Sequence, residues 1–436
     1  MKISIFQGIF IGVLSLAALI GLFVFATHTS TTGGGSDAIG TVVVWGTLPG
    51  SDMQSMLTAI KQSDQSLKGV SYVQKNQDTL PSDLASAIAT DAAPDLILTN
   101  QEELLPLAKF IKPIQFSTLP ASAFTTTFIG GAGIFTSPHG DGYYGVPFLV
   151  DPMVLFSNRA ILSSNGIAKP PATWEALTGL VPNVAMLTST KQITRGLIAL
   201  GTYANIHNAR GILSSLFLQV GIPISGYSNG ILTANLSRAP GEDSSLSGQA
   251  VLGFYTQFVD PSKNSYTWNA SLQDSRQSFL AGDLALYIGY ASESRFLTEA
   301  NPNLDFIVTE LPQPATAKLK SVYGNIYAFM IPRGAKNPGG AYQAAAFLTS
   351  PAMQAIAASA FGIAPAITNP LVQAQSDPIS AVAYSEALYT KGWLSPAPSD
   401  TDLVFSSMIM SVISGRLGTD RALTSSESAM AALLHP

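Results

Sequence analysis

Residues 226–230 (GYSNG) have the G-x-S-x-G spacing of a serine-hydrolase nucleophile elbow. That elbow needs a strand before the serine and a helix after it. Here Gly221-Ile222-Pro223 precedes the motif and residues 231–235 (ILTAN) read as extended chain, so the helix is missing. With 37 glycines in the chain, the spacing also arises easily by chance. The four histidines, His28, His139, His207 and His435, are far apart and have no metal-ligand spacing. Cysteine is absent, which removes thiolate nucleophiles, disulfides and thiolate-held metal centres together. No G-x-x-x-x-G-K-[ST] phosphate loop occurs, and no carboxylate pair suggests glycoside hydrolysis. Asn235-Leu236-Ser237 and Asn269-Ala270-Ser271 match glycosylation sequons, which in a serine-rich chain carry little weight. The expectation is a chain that is not an enzyme and needs no cofactor or metal.

Composition narrows the partners. Of 436 residues, 47% are apolar, enough for large cores, and the length suggests two to three domain-sized units. Only 11% are charged, the net charge is −5, and no run of Lys and Arg occurs. Nucleic acid is therefore excluded as a main partner, because phosphate binding needs clustered cations.

Residues 3–26 are almost continuously apolar, broken by Ser4, Gln7 and Ser15. As a helix they reach ~36 Å at ~1.5 Å per residue, enough to span a hydrocarbon core of ~30 Å. Lys2 precedes the segment, which favours the body on the outside. The expected organisation is a transmembrane signal anchor over 1–26 and a flexible linker over 27–39, where three glycines follow one another. Cleavage after Val24-Phe25-Ala26, giving a secreted or periplasmic body, is the alternative.

From residue 40 the periodicity alternates. Strands are expected at 41–45, 70–73 and 96–98. Helices lie between them, marked first by Met53, Met56, Leu57 and Ile60 and then by Leu80, Leu84 and Ile88. This β-α-β-α-β order predicts a parallel sheet covered by helices. Ligands bind beyond the carboxyl ends of such strands, which points to Trp45-Gly46-Thr47 and Thr99-Asn100-Gln101. Thr173 is placed to cap a helix from Trp174, and Ser350-Pro351 repeats that logic. Residues 211–219 read as a helix stopped by Gly221 and Pro223. Phe405, Met408, Ile409, Val412 and Ile413 mark another that ends near Gly415, and Leu423, Met430 and Leu433 mark the last.

Several stretches, in order along the chain, carry a family resemblance. They are Val43-Val44-Trp45-Gly46; the run from 105 to 114 (LPLAKFIKPI); Tyr144-Gly145-Val146-Pro147-Phe148 with Asp151 and Phe156-Ser157-Asn158; Pro170-Pro171-Ala172-Thr173-Trp174-Glu175; residues 278–286 (SFLAGDLAL); and Tyr323-Gly324-Asn325 through to Ser350-Pro351. Together they resemble extracellular solute-binding proteins of ABC transporters, of the sugar-binding, maltose-binding-protein-like kind. The resemblance implies an α/β, two-lobed, periplasmic-binding-protein-like type II fold with discontinuous lobes and a hinge, here preceded by the transmembrane helix. Lobe 1 is expected over 40–149 and 292–330, and lobe 2 over 150–291 and 331–436. The chain would cross between them near 149–151, 290–295 and 330–334.

The resemblance also implies a small-molecule solute, expected to be a carbohydrate, closed over by hinge motion and passed to an ABC permease. Sugars offer apolar ring faces and a rim of hydroxyls, which aromatic rings and polar side chains satisfy together. The expected ligand-binding set is Trp45, Thr47, Asn100, Tyr144, Asp151, Trp268, Asn269, Tyr290, Tyr323, Asn325 and Trp393. Family members in organisms without an outer membrane often carry a lipid-bearing cysteine after the signal. Without one, the helix at 3–26 would be the anchor. The alternatives are an anchored sensor or adhesin without a transporter, and capture of a non-sugar solute.

Overall fold

A computed structural model describes residues 39–228, 230–237, 247–371 and 375–434. The proposed transmembrane segment and linker, together with His28 and His435, lie outside the described residues. Among the described residues no single helix is long and apolar enough to cross a membrane.

The opening βαβαβ pattern forms as the periodicity predicts. Strands β1 (Val42–Gly46), β2 (Val70–Gln74) and β3 (Leu96–Asn100) are parallel, with β1 between the other two and Val44 opposite both Tyr72 and Leu96. Helices Gly50–Ser63 and Leu80–Ala89 connect them, and Met53, Met56, Leu57, Ile60, Leu80 and Leu84 are buried. The continuous Leu-Ile-Leu run of β3 is wholly buried, as expected for a strand covered on both faces.

The molecule is organised around β4 (Val146–Asn158), thirteen residues that are all buried. Beyond it come β5 (Ile193–Ile198), β6 (Leu284–Tyr290), β7 (Phe306–Thr309) and β8 (Val322–Met330). The sheet order is β2-β1-β3-β8-β4-β6-β5, with β7 also paired to β4. The first half of β4, up to Pro152, pairs antiparallel with β8, while Ala364 and Pro365 lie opposite Val150 and Leu149. The second half pairs with β6 from Met153 onward and with β7 from Leu155 onward. Pro152 sits at this changeover, where its missing N–H withholds a rung from either ladder. The result is a two-lobed α/β fold whose lobes share one strand.

Local sequence signals account for the flanking helices. The Ala176 N–H donates to Thr173 Oγ1 at 3.2 Å, capping helix Trp174–Val184. Helix Pro351–Phe361 starts at its proline, but Ser350 makes no side-chain cap bond there, so the proline's preset φ starts the helix. Helix Ser275–Ala281 stops at Gly282, whose φ of 82° lies in the left-handed region that favours glycine. Helix Ala209–Gln219 is buried along nearly its whole length. It lies across the middle of the molecule: Ser215 Oγ accepts the Tyr323 N–H of β8 at 3.1 Å. A β-carbon on Gly211 would fall 2.8 Å from Met153 Sδ and from the Tyr290 hydroxyl, so glycine lets this helix approach β4 and β6.

Candidate solute-binding cleft

The carboxyl ends of β1 and β3 form one rim. Trp45 is half-buried at the end of β1, with Lys75 Nζ 3.9 Å from its ring centroid. Thr47 Oγ1 donates to Thr99 Oγ1 at 3.3 Å. Asn100 is buried, and its Oδ1 accepts the Glu102 N–H at 3.0 Å, turning the chain into a short 3-10 turn, Gln101–Glu103. Gln101 fastens this turn to β8: its Nε2 donates to the Gly324 carbonyl and its Oε1 accepts the Ile326 N–H at 2.7 Å. Glu102 Oε1 accepts the Tyr323 hydroxyl.

The facing rim comes from the chain leaving β5, from the first turn of helix Ala209–Gln219 and from the end of β6. Arg210 reaches across and donates from Nη2 to Glu102 Oε2 at 2.8 Å, and from Nη1 to Asp402 Oδ2 at 2.8 Å and the Pro398 carbonyl at 2.9 Å. Tyr203 donates its hydroxyl to Asp402 Oδ1. Burial opposes the charge on Arg210, but Glu102 and Asp402 outweigh it and hold the guanidinium above its ordinary pKa. At Tyr290, burial first and then the charge of Glu102 raise the phenol well above its ordinary range, so it stays a neutral hydroxyl. Tyr203, His207, Asn208, Arg210, Tyr290 and Asp402 line a cavity of about 380 Å³ here. Behind it, Glu293 collects the Asn208 amide, the Tyr287 hydroxyl and the Tyr290 N–H.

The expected ligand residues separate into four places. Tyr290 lines this cavity, while Trp45, Thr47 and Asn100 lie at the ends of β1 and β3 and Tyr323 at the start of β8, and Asn100 and Tyr323 spend their polar atoms on the protein itself. Asp151 and Asn325 are ladder partners at the β4 changeover. The Asp151 carboxylate accepts the Ser292 hydroxyl at 2.6 Å and the Ser292 N–H at 3.0 Å, tying β4 to the start of helix Glu293–Ala300. Burial pushes this carboxyl up to about 7, helped by the nearby charge of Glu293 and opposed by the Ser292 bonds.

Trp268 is 1% exposed, a core side chain of the second lobe. Asn269 closes a turn by accepting the Ser271 N–H and hydroxyl. Tyr144 and Trp393 lie instead toward a second cavity of about 620 Å³, whose wall includes Ile134, Tyr227, Lys391 and Trp393. Trp393 donates to Ser214 Oγ at 3.0 Å and stacks near Phe405.

Sequence reasoning passed over Glu102, Glu103, Tyr203, Arg210 and Asp402. Glu102 and Glu103 follow directly on the strand end that the carboxyl-end rule had singled out. Arg210 and Asp402 gave no spacing signal, since 108 and 192 positions separate Arg210 from its two acid partners. The G-x-S-x-G segment lies in a hairpin: Ile224–Ser228 pairs antiparallel with Ile231–Asn235, with no strand-to-helix elbow. His139 is exposed, and His207 stands 3.8 Å from Asp274.

Residues 60–382 match the profile of the bacterial extracellular solute-binding protein family. No curated protein matches the sequence. Among solved structures, a cyclo/maltodextrin-binding protein complexed with maltotetraose is similar with a TM-score of 0.71 and 16% identity, covering 93% of this chain and 99% of that one. A cyclic α-maltosyl-1,6-maltose binding protein from Arthrobacter globiformis gives 0.72 and 15%, covering 90% and 98%. An ABC transporter solute-binding protein from Thermotoga lettingae TMO, bound with α-D-tagatose, gives 0.65 and 17%, covering 91% and 100%. At these identities the likeness establishes the fold.

Proposed function

The chain belongs to the bacterial extracellular solute-binding protein family, and from that membership we propose that it captures a carbohydrate between its lobes and delivers it to an ABC permease. The observation that carries this reading is the cleft itself. Tyr203, Tyr290, His207, Asn208 and Arg210 surround a cavity of about 380 Å³ that holds ring-stacking and hydrogen-bonding groups together. Trp45 on the opposite rim adds an aromatic face. Such a mixture suits a ring with apolar faces and a hydroxyl edge. The sugars bound by the similar structures support the same class. Nothing in this reading calls for catalysis, and the hairpin setting of Ser228 supplies none of the elbow geometry that acyl transfer requires.

Strand pairing supports a particular division of the lobes. The first comprises 39–150 with 322–369, since Ala364 and Pro365 pair with the first half of β4. The second comprises 153–309 with the C-terminal helices, since β7 pairs with the second half and helix Thr419–Leu434 packs on strand Ile231–Asn235, while Thr390 and Lys391 still pair with β8. On this reading the second crossing lies within 310–321 and the third beyond Lys391, rather than near 290–295 and 330–334. Residues 3–26 would tether the extracytoplasmic body to the membrane. Fractionation of cells expressing the full chain tests that tether: recovery of the protein in the soluble extracytoplasmic fraction alone would mean that the segment is removed.

The central test is thermal shift and tryptophan fluorescence against sugars, polyols, peptides and amino acids. At least one mono- or oligosaccharide is expected to stabilise the protein saturably. Saturable binding of another class with no response to any carbohydrate would sink the reading.

A further inference from the structure

Solute capture leaves the cavity of about 620 Å³ without a use. It shares no lining residue with the cavity of about 380 Å³. Arg210, in the first turn of helix Ala209–Gln219, lines the smaller one and Leu218, in the last turn, the larger. That spacing is roughly 12 Å at ~1.5 Å per residue. Three segments build the larger cavity and are fixed to one another. One wall is the 3-10 helix Gly130–Phe135 with the residues after it, and another runs from Leu218 into strand Ile224–Ser228. Residues 391–394 supply the third side. A β-carbon on Gly131 would fall 2.2 Å from the Thr390 carbonyl oxygen, so glycine lets the first wall close on that side. Ser225 Oγ donates to the Leu394 carbonyl at 2.7 Å and Trp393 Nε1 to Ser214 Oγ at 3.0 Å, which ties the second wall to it.

Its chemistry differs from that of the cleft. Ile134, Pro223 and the ring of Tyr227 offer apolar faces that are not fully buried. Among the described residues no Asp or Glu lines it, whereas Asp402 lines the smaller cavity and pairs there with Arg210. Lys391 lines it too, exposed and with no ion-pair or hydrogen-bond partner among the described residues. The Tyr227 hydroxyl is equally unpartnered among them. Burial, then the neighbouring Tyr144, raise its pKa, so it remains an O–H donor. With a net charge of −5 the chain as a whole repels anions, so a bound carboxylate would depend on that one local cation. We propose that this cavity is a second small-molecule site, separate from the solute cleft, and that it takes a small aromatic carboxylate. The ring lies against Ile134 and Pro223, and the carboxylate meets the Lys391 ammonium and the Tyr227 hydroxyl. The volume falls in the ~300–1,000 Å³ range of small-molecule sites. The site does not depend on which solute the cleft captures.

The probes are benzoate, cinnamate and indole-3-acetate, each beside its uncharged amide. Thermal shift and saturation-transfer NMR on the full chain should show saturable binding of at least one carboxylate, about tenfold tighter than its amide. Lys391→Gln changes an exposed side chain and should erase that preference, and Tyr227→Phe should weaken the carboxylate severalfold. Gly133→Leu fills the cavity from its wall: a β-carbon there meets nothing within 4 Å, so the added side chain should abolish binding without lowering the melting temperature. Should Gly133→Leu fail to fold, the charge preference in Lys391→Gln decides alone. No binding of any probe, or equal binding of carboxylate and amide, overturns the proposal. Carboxylate binding that persists unchanged in Lys391→Gln places the anion elsewhere and overturns it as well.

Discussion

Arg210 Nη2 lies 2.8 Å from Glu102 Oε2, and the two side chains belong to segments on opposite sides of the cleft. Glu102 is held from behind by Tyr323 and Arg210 by Asp402, so the pair is a braced link between the rims. A second link, Arg295 to Asp52 at 3.5 Å, is exposed and therefore weak.

Cutting the braced link should open the molecule. Removing one partner of a buried pair leaves the other uncompensated, at a cost of roughly 3 kcal/mol. Arg210→Ala should lower the melting temperature and enlarge the radius of gyration, whereas Arg295→Ala should change both little. Thermal denaturation and scattering on the two variants check this. Equal effects would mean that Glu102 and Arg210 do not brace the cleft.

Fluorescence offers a residue-specific readout. Of the four tryptophans, Trp174, Trp268 and Trp393 are 4%, 1% and 2% exposed, and Trp45 alone is half-buried, at the cleft rim. A solute-dependent emission change should therefore vanish in Trp45→Phe while the folded spectrum of the others persists. A change that survives this substitution places the solute elsewhere.

Asp151 predicts a pH-dependent stability. Its folded carboxyl titrates near 7, against an ordinary value near ~3.9 when unfolded, so the folded state prefers the neutral form. That contribution is complete below about pH 4 and is lost as pH rises through 7, amounting to roughly 4 kcal/mol. Asp151→Asn keeps partners for Ser292 and should melt at a temperature less sensitive to pH between 5 and 8 than the wild type. Parallel melting profiles would rule out this role.

Gly211 sets the spacing between helix Ala209–Gln219 and the central strands. A methyl there meets Met153 Sδ and the Tyr290 hydroxyl at 2.8 Å, an overpacking cost of about 1–3 kcal/mol. Gly211→Ala should lower thermal stability and, by displacing Tyr290, weaken solute binding. Titration of the variant with a binding sugar measures the second effect, and unchanged affinity would remove Tyr290 from the recognition surface.

The fold was legible because local patterns agreed with one another. The run Leu96-Ile97-Leu98, the Thr173 cap and the proline start at Pro351 each specify structure within a few residues. The cleft was only partly legible. Trp45 and Asn100 follow from the rule about strand ends, and Tyr290 stands in the expected ligand set. Arg210 and Asp402 become neighbours only through tertiary folding, and a lone charged residue in a helix carries no local mark of such a partner. Trp268 illustrates the opposite error, since indoles suit both stacking on a ligand and filling a core. Its neighbours decided between them, with Gly196 making room against its ring.

Strand β4 has a consequence for how the chain acquires its shape. Because Val146–Val150 completes one ladder and Met153–Asn158 completes another, neither half can be excised with its full complement of rungs. Calorimetric melting should therefore be a single cooperative event rather than two. A chain lacking residues 146–158 would leave β8 without its inner neighbour. The same thirteen residues that let two halves swing against each other also oblige them to fold together.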